Sequence, residues 1–181
     1  MVLKAEQVSK YYMRSNGDAN CFEAVKPCDL TLAAGSVSVL MGRSGSGKTT
    51  LLTMLSGLLR PSHGRVLLDE KDIYALADKE LSRLRCAHFA VIPQGTGAIS
   101  ALSVLENILL PFSLIGRTAD EKAVLSVMEK LGISHLASAQ PGELSGGELR
   151  RMAIARALCM KPGFIFADEP TADLDDENSR E

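Results

Sequence analysis

Eight consecutive residues, Gly42, Arg43, Ser44, Gly45, Ser46, Gly47, Lys48 and Thr49, carry the groups needed to hold a polyphosphate. Glycines at this spacing let successive backbone N–H groups converge on an anion at the N-terminus of a helix. Lys48 would neutralise charge on the β- and γ-phosphates of a nucleotide, and Thr50 extends the binding segment into the helix. Thr49 offers a hydroxyl to Mg²⁺, a cation that prefers oxygen ligands and keeps several of its waters. A merely flexible glycine loop would need the lysine and threonine to stand there by accident.

A second constellation lies 102 positions on, from Gly42 to Leu144 (144 − 42). Leu144, Ser145, Gly146, Gly147 and Glu148 place a hydroxyl and a carboxylate three apart, the spacing of a capping box. Capping accounts for Ser145 and Glu148 but requires no double glycine. A serine, two glycine amides and a helix dipole together form another surface suited to phosphate. A third element is the apolar run Phe164–Ala167, which opens onto Asp168 and Glu169. An acidic pair after a strand is commonly just a solvated turn.

These groups need elements to hold them. Residues 37–41, almost wholly apolar, read as a strand before the glycine loop, and residues 49–59 as a helix closed by Gly57 and Pro61. Residues 65–68 and Phe89–Ile92 read as further strands, with residues 78–85 as a helix between them. Ser103 with Glu106, and Thr118 with Glu121, predict two helix starts by capping-box spacing. Val124, Val127, Met128 and Leu131 recur at helical spacing and Gly132 follows as a stop; Leu149, Met152, Ala153 and Arg156 mark another helix ending before Pro162. Phe164–Ala167 is a buried-type strand. The sum is an α/β core carrying a helical insertion, with no internal repeat.

Composition agrees with one ordinary domain. The chain has 181 residues, 46% hydrophobic and 23% charged. Aromatic residues make up only 4% and the net charge is -2, so neither base stacking nor a pull toward phosphate polymers is indicated, and no nucleic-acid partner is expected. Lys4, Glu6 and Lys10 interrupt the start before any signal-like apolar region develops. Glu106, Asn107 and Pro111 break the most apolar stretch, residues 99–115, short of the roughly 20 residues that span a bilayer. Cys21, Cys28, Cys86 and Cys159 show no metal-ligand spacing, and no function is assigned to them.

With these motifs in place, the sequence resembles the nucleotide-binding domain of ABC transporters over essentially its whole length. The resemblance implies an α/β P-loop NTPase core with a mostly parallel sheet, a small antiparallel β subdomain and an inserted helical subdomain. It implies one domain over residues 1–181, with residues 1–94 and 149–181 as the ATP-binding core and 95–148 as the helical subdomain. ATP and Mg²⁺ are the implied ligands, and ATP hydrolysis the implied reaction. Leu144, Ser145, Gly146, Gly147 and Glu148 correspond to the signature motif, which faces the phosphate loop of another subunit. Asp168 corresponds to the carboxylate that holds Mg²⁺ through water, and Glu169 to the one that polarises the attacking water. Gln94 matches the glutamine that senses Mg²⁺ and relays nucleotide state. Asp175, in a stretch like the family's D-loop, would touch the opposing subunit. Near the start, residues 8–12 resemble the segment whose aromatic stacks on adenine; spacing favours Tyr12 over Tyr11, and Val25 could pad the same base.

The implied partners are a second nucleotide-binding subunit, forming a homodimer around two ATP molecules, and a transmembrane permease. Membrane contact is expected only through that permease, with the chain cytoplasmic at the inner face of the cell membrane. Ser103 to Asn107 with Leu110 and Pro111, and residues 167–171, are most similar to the branch serving macrolide export and lipoprotein release. Residues 95–101 depart from that branch. The family continues past the position of Glu181 with further strands and a histidine, whereas His63, His88 and His135 all precede Asp168. The expectation is therefore a truncated chain with ATP binding retained and weak turnover. A hydrolysis-deficient remnant is one alternative, and a soluble ABC ATPase of translation or repair another. Long coiled-coil insertions or two cassettes would mark the latter, and this sequence has neither.

Overall fold

In the computed structural model the described residues are 1–13, 21–95 and 97–169. They fall into two compact units, Met1–Ala87 and His88–Glu181.

The first unit is built on an antiparallel sheet. Strands β1 (Val2–Met13), β2 (Cys21–Ala33), β3 (His63–Leu68) and β4 (Lys71–Asp72) lie in the order β2-β1-β3-β4. The sequence reading anticipated only the third. In β1, Leu3 and Ala5 alternate inward, but Gln7 sits at φ 49 and the register with β2 shifts between Ala5 and Val8. Such a bulge puts two residues against one and erases the period-two pattern that reveals a strand. β2 contains Pro27, which cannot donate to a ladder; its edge position makes that tolerable.

Helix α1 (Lys48–Leu55) packs against β1 and β2, burying Met54 and Leu55. It ends sooner than predicted, because Ser56 caps it and Gly57 turns away at φ 75. Tyr74, in a short 3-10 turn, donates its hydroxyl to the carbonyls of Met54 (2.7 Å) and Leu59 (2.6 Å), pinning the end of α1. Helix α2 (Asp78–His88) follows as expected.

Residues 37–41 differ from expectation. They form no strand and pair with none among the described residues. Val37, Val39 and Met41 share one face at period two and are 93%, 77% and 90% exposed. The residues have strand character, but no described strand runs alongside to complete the ladder or cover the apolar face.

The second unit joins a parallel strand pair to three helices. Strands β5 (Phe89–Ile92) and β6 (Phe164–Ala167) pair in register from Phe89 with Phe164 to Ile92 with Ala167. Phe89 meets Phe166 edge-on at 5.4 Å and Phe164 at 6.1 Å, which cements the pair. Helices α3 (Val104–Leu114), α4 (Glu121–Lys130) and α5 (Gly146–Cys159) share a core of Val104, Ile108, Val124, Met128, Ile133, Met152 and Ala155. The capping box at Ser103 forms as predicted, with Glu106 Oε2 accepting from Ser103 N at 2.7 Å. The start of α4 does not: its cap is Asp120 rather than Thr118, accepting from Lys122 and Ala123. An aspartate one residue before the first turn reaches those amides directly, so it outcompetes a hydroxyl further upstream.

Asn107 is wholly buried and fully engaged. Its amide donates to the carbonyls of Ile99, Leu102 and Ser103 at 2.9–3.0 Å and its oxygen accepts from Ile99 N at 2.8 Å. It ties the loop before α3 to the helix.

Candidate nucleotide site

The phosphate-loop residues stand where chain geometry favours an anion. Gly45 and Gly47 have φ of 76 and 89, in the left-handed region, and Gly47 is the N-cap of α1. A Cβ at Gly47 would lie 2.2 Å from the Ala24 carbonyl oxygen, so only glycine fits. Having no side chain, Gly47 offers nothing to the first amides of α1, the groups that an N-terminus leaves for an external acceptor. Lys48 starts that helix and folds its ammonium back onto the carbonyls of Gly42 (2.9 Å) and Arg43 (3.0 Å). Residues 42–46 and Thr49 are exposed, Thr50 half-buried. Amides at a helix N-terminus, a lysine over the loop and a hydroxyl at Thr49 fit a nucleotide phosphate.

Elsewhere in the first unit, Tyr11 and Tyr12 have different surroundings. Tyr11 donates its hydroxyl to Glu23 Oε1 at 2.9 Å and meets His63 edge-on at 5.8 Å. Tyr12 is 43% exposed, with Lys10 Nζ 5.5 Å from its ring centroid. Val25 is buried beside Gly47.

In the second unit, two predicted residues far apart in sequence meet. Gln94 Nε2 donates to Glu169 Oε2 at 2.9 Å. Each follows a strand, Gln94 after β5 and Glu169 after β6, and parallel pairing brings both chain exits to the same end of the sheet. Asp168 is half-buried there, its N–H donating to the Ile92 carbonyl at 2.9 Å. No cluster of three or more His, Cys, Asp or Glu occurs among the described residues. The carboxylate of Asp168 and the side-chain carbonyl of Gln94 are hard oxygen donors, the kind that suits Mg²⁺.

Ser145, Gly146 and Gly147 open α5. The Ser145 hydroxyl donates to Glu148 Oε2 at 2.7 Å, the Ser145 N–H donates to the same oxygen at 2.8 Å, and Glu148 N donates to Ser145 Oγ at 3.3 Å. These bonds from Ser145 hold the Glu148 carboxyl below the usual range. Asp175 lies outside the described residues.

Sequence reading missed Arg150. It is 2% exposed and donates to main-chain carbonyls at both strand exits, including those of Asp168 and Glu169 at 2.7 Å. The signal was present: Arg150, Ala153 and Ala157 lie at i, i+3 and i+7, and both alanines pack against Ile92. A charged residue on the buried stripe of a helix calls for an acceptor.

An α/β fold with this loop at the start of α1 defines a P-loop nucleotide-binding protein. The ABC transporter family matches residues 25–172, and the chain belongs to that family. The ABC transporter ATP-binding protein YtrE of Bacillus subtilis is 38% identical over 91% of this chain and 72% of its own length. The lipoprotein-releasing system ATP-binding protein LolD of Xanthomonas campestris is 36% identical over 98% of this chain and 74% of its own. Two dimeric structures of the bacterial ABC transporter cassette MJ0796, one in a post-hydrolysis state bound to ADP and Pi, match with TM-scores of 0.90 and 0.89. Both are 33% identical and cover 98% of this chain and 78% of that one. The family is one of ATPases that bind ATP and use Mg²⁺, and its fold is the P-loop NTPase fold expected from the sequence. No helix among the described residues is long and apolar enough to cross a membrane.

Proposed function

We propose that this chain is the ATP-binding subunit of a transporter, closing with a second copy around two ATP molecules and driving a separate membrane permease from the cytoplasmic side. The observation that carries the catalytic part is the meeting of Gln94 with Glu169, since an activated water needs an oriented carboxylate. Gly42 to Thr50 bind the phosphates, with Lys48 neutralising their charge and Tyr12, the more exposed of the two tyrosines, stacking on the base. Glu169 orients the attacking water and accepts its proton, and Gln94 fixes that carboxylate. Thr49, Gln94 and Asp168 would hold Mg²⁺, which would supply positive charge to the phosphate oxygens. Ser145, Gly146 and Gly147 read the γ-phosphate bound to the partner copy, Asp175 touches that copy, and residues 95–148 form the helical subdomain that presents the signature. LolD, a relative named for lipoprotein release, favours an export or release role.

Replacing Glu169 with Gln should trap the ATP-bound pair. Sedimentation of E169Q is expected to show a dimer with ATP and a monomer without it; monomers under both conditions would contradict the paired-site reading.

The exposed apolar face of Val37, Val39 and Met41 favours a second reading, in which this chain binds ATP but turns it over well only when further polypeptide covers that face. Steady-state hydrolysis by this chain alone at a normal transporter rate would overturn it.

A further inference from the structure

Burying a guanidinium is unfavourable unless its donors are well met, so a buried arginine is a costly choice where an apolar residue would pack. The neighbours of Arg150 along α5, Met152, Ala153, Ala155 and Ala157, are buried and uncharged. Arg150 does something that they cannot. Its Nη1 donates to the carbonyls of Pro93 and Gln94, the latter at 3.3 Å, while Nη2 donates to those of Asp168 and Glu169, both at 2.7 Å. The planar fork thus bonds to two chain segments 75 positions apart, at the point where their side chains meet.

Glu169 has a further need of it. Its φ of 48 lies in the left-handed region, which crowds the Cβ of an L-residue against its own carbonyl. The bonds from Nη2 to the carbonyls of Glu169 and Asp168 oppose relaxation of that turn. The Gln94 and Glu169 segments are thus joined through one planar group as well as through the side-chain contact.

We propose that Arg150 is a positioning residue that fixes Gln94 relative to Asp168 and Glu169, and so sets how strongly nucleotide binding depends on the divalent cation. This rests on the reading of Gln94 and Asp168 as Mg²⁺ ligands. Arg150 acts through the main chain of these residues, to whose carbonyls its guanidinium donates.

The test is calorimetric titration of the full chain with ATP, in Mg²⁺ and again in EDTA, for wild type, Arg150→Gln, Arg150→Lys and Gln94→Ala. The ratio of the two affinities isolates the metal-dependent part. Arg150→Gln should lower that ratio about tenfold, the usual loss on removing a group that orients a metal ligand, and leave ATP affinity in EDTA within twofold. Arg150→Lys retains the charge but not the fork and should fall between. Should Arg150→Gln fail to fold, the lysine variant carries the test. Gln94→Ala should lower the ratio as well. An unchanged ratio in the Arg150 variants beside a lowered one in Gln94→Ala would overturn the positioning role and leave the ligand reading intact. An unchanged ratio in Gln94→Ala would instead overturn the ligand reading, and the proposal with it. Equal loss of affinity in Mg²⁺ and EDTA in the Arg150 variants would show a purely structural role and overturn the proposal.

Discussion

The side-chain amide of Gln94 donates to the carboxylate of Glu169 at 2.9 Å, across a sequence separation of 75. An isosteric amide at position 169 would still offer an oxygen to Gln94 while losing the charge that accepts a proton. Glu169→Gln should therefore lower whatever turnover the chain shows by about a hundredfold or more, with ATP affinity changed less than threefold. Phosphate release and equilibrium titration, run on the same preparation, separate the two effects.

Gly47 and Gly45 should respond differently to alanine. At Gly47 the new Cβ would meet the Ala24 carbonyl oxygen at 2.2 Å in addition to the left-handed φ, whereas at Gly45 nothing lies within 4 Å. Gly47→Ala should cost at least about 2 kcal/mol and abolish ATP binding, and Gly45→Ala about 1–2 kcal/mol from backbone strain alone. Urea unfolding and ATP titration of each variant provide the comparison.

Asn107 bonds through its side chain to Ile99, Leu102 and Ser103 of the loop before α3. Asn107→Leu keeps the volume but strands the Ile99 N–H and removes the donors to three carbonyls. A loss of about 2–3 kcal/mol is expected in urea unfolding, along with faster hydrogen exchange over residues 99–103.

Two helix starts should sense acid. Bonds from Ser103 lower the Glu106 carboxyl below its ordinary value, and those from Ser145 lower Glu148. A carboxylate lowered in the folded state adds stability that is present above its unfolded pKa and lost as pH falls through the folded one. Melting temperature should thus fall on acidification below the ordinary glutamate range, less steeply in a Glu106→Gln, Glu148→Gln double variant. Proton NMR titration of the two side chains should show both midpoints below that of an unstructured glutamate.

The apolar face of residues 37–41 should make the chain self-associate. Replacing Val37 and Val39 with threonine preserves the branched shape while adding a hydroxyl at two positions that are 93% and 77% exposed. Light scattering should rise less with concentration in the double variant, while urea stability shifts by no more than about 0.5 kcal/mol, as for surface substitutions generally.

Much of the nucleotide chemistry is local and could be read along the chain. The glycines of the phosphate loop, the reciprocal caps at Ser103 and Ser145, and the apolar strands Phe89–Ile92 and Phe164–Ala167 each depend on residues within a few positions of one another. Where local signals competed, a nearer one prevailed, as Asp120 did over Thr118 at the start of α4. The bulge at Gln7 hid β1 because it breaks the alternation by which a strand is recognised. The apolar pattern of residues 37–41 was legible, but pairing belongs to neighbouring strands and cannot be inferred from one segment.

What the sequence determined by itself was the set of groups available: a loop of amides with a lysine, hydroxyls, two carboxylates and a glutamine. Which of them meet was decided by the tertiary structure. Parallel pairing of β5 with β6 delivers Gln94 and Glu169 to one end of the sheet, and a buried guanidinium from a helix distant in sequence from Gln94 bonds to both exits. Those contacts depend on hydrogen bonds between segments dozens of residues apart, formed only once the strands have paired and α5 has packed its alanines against them.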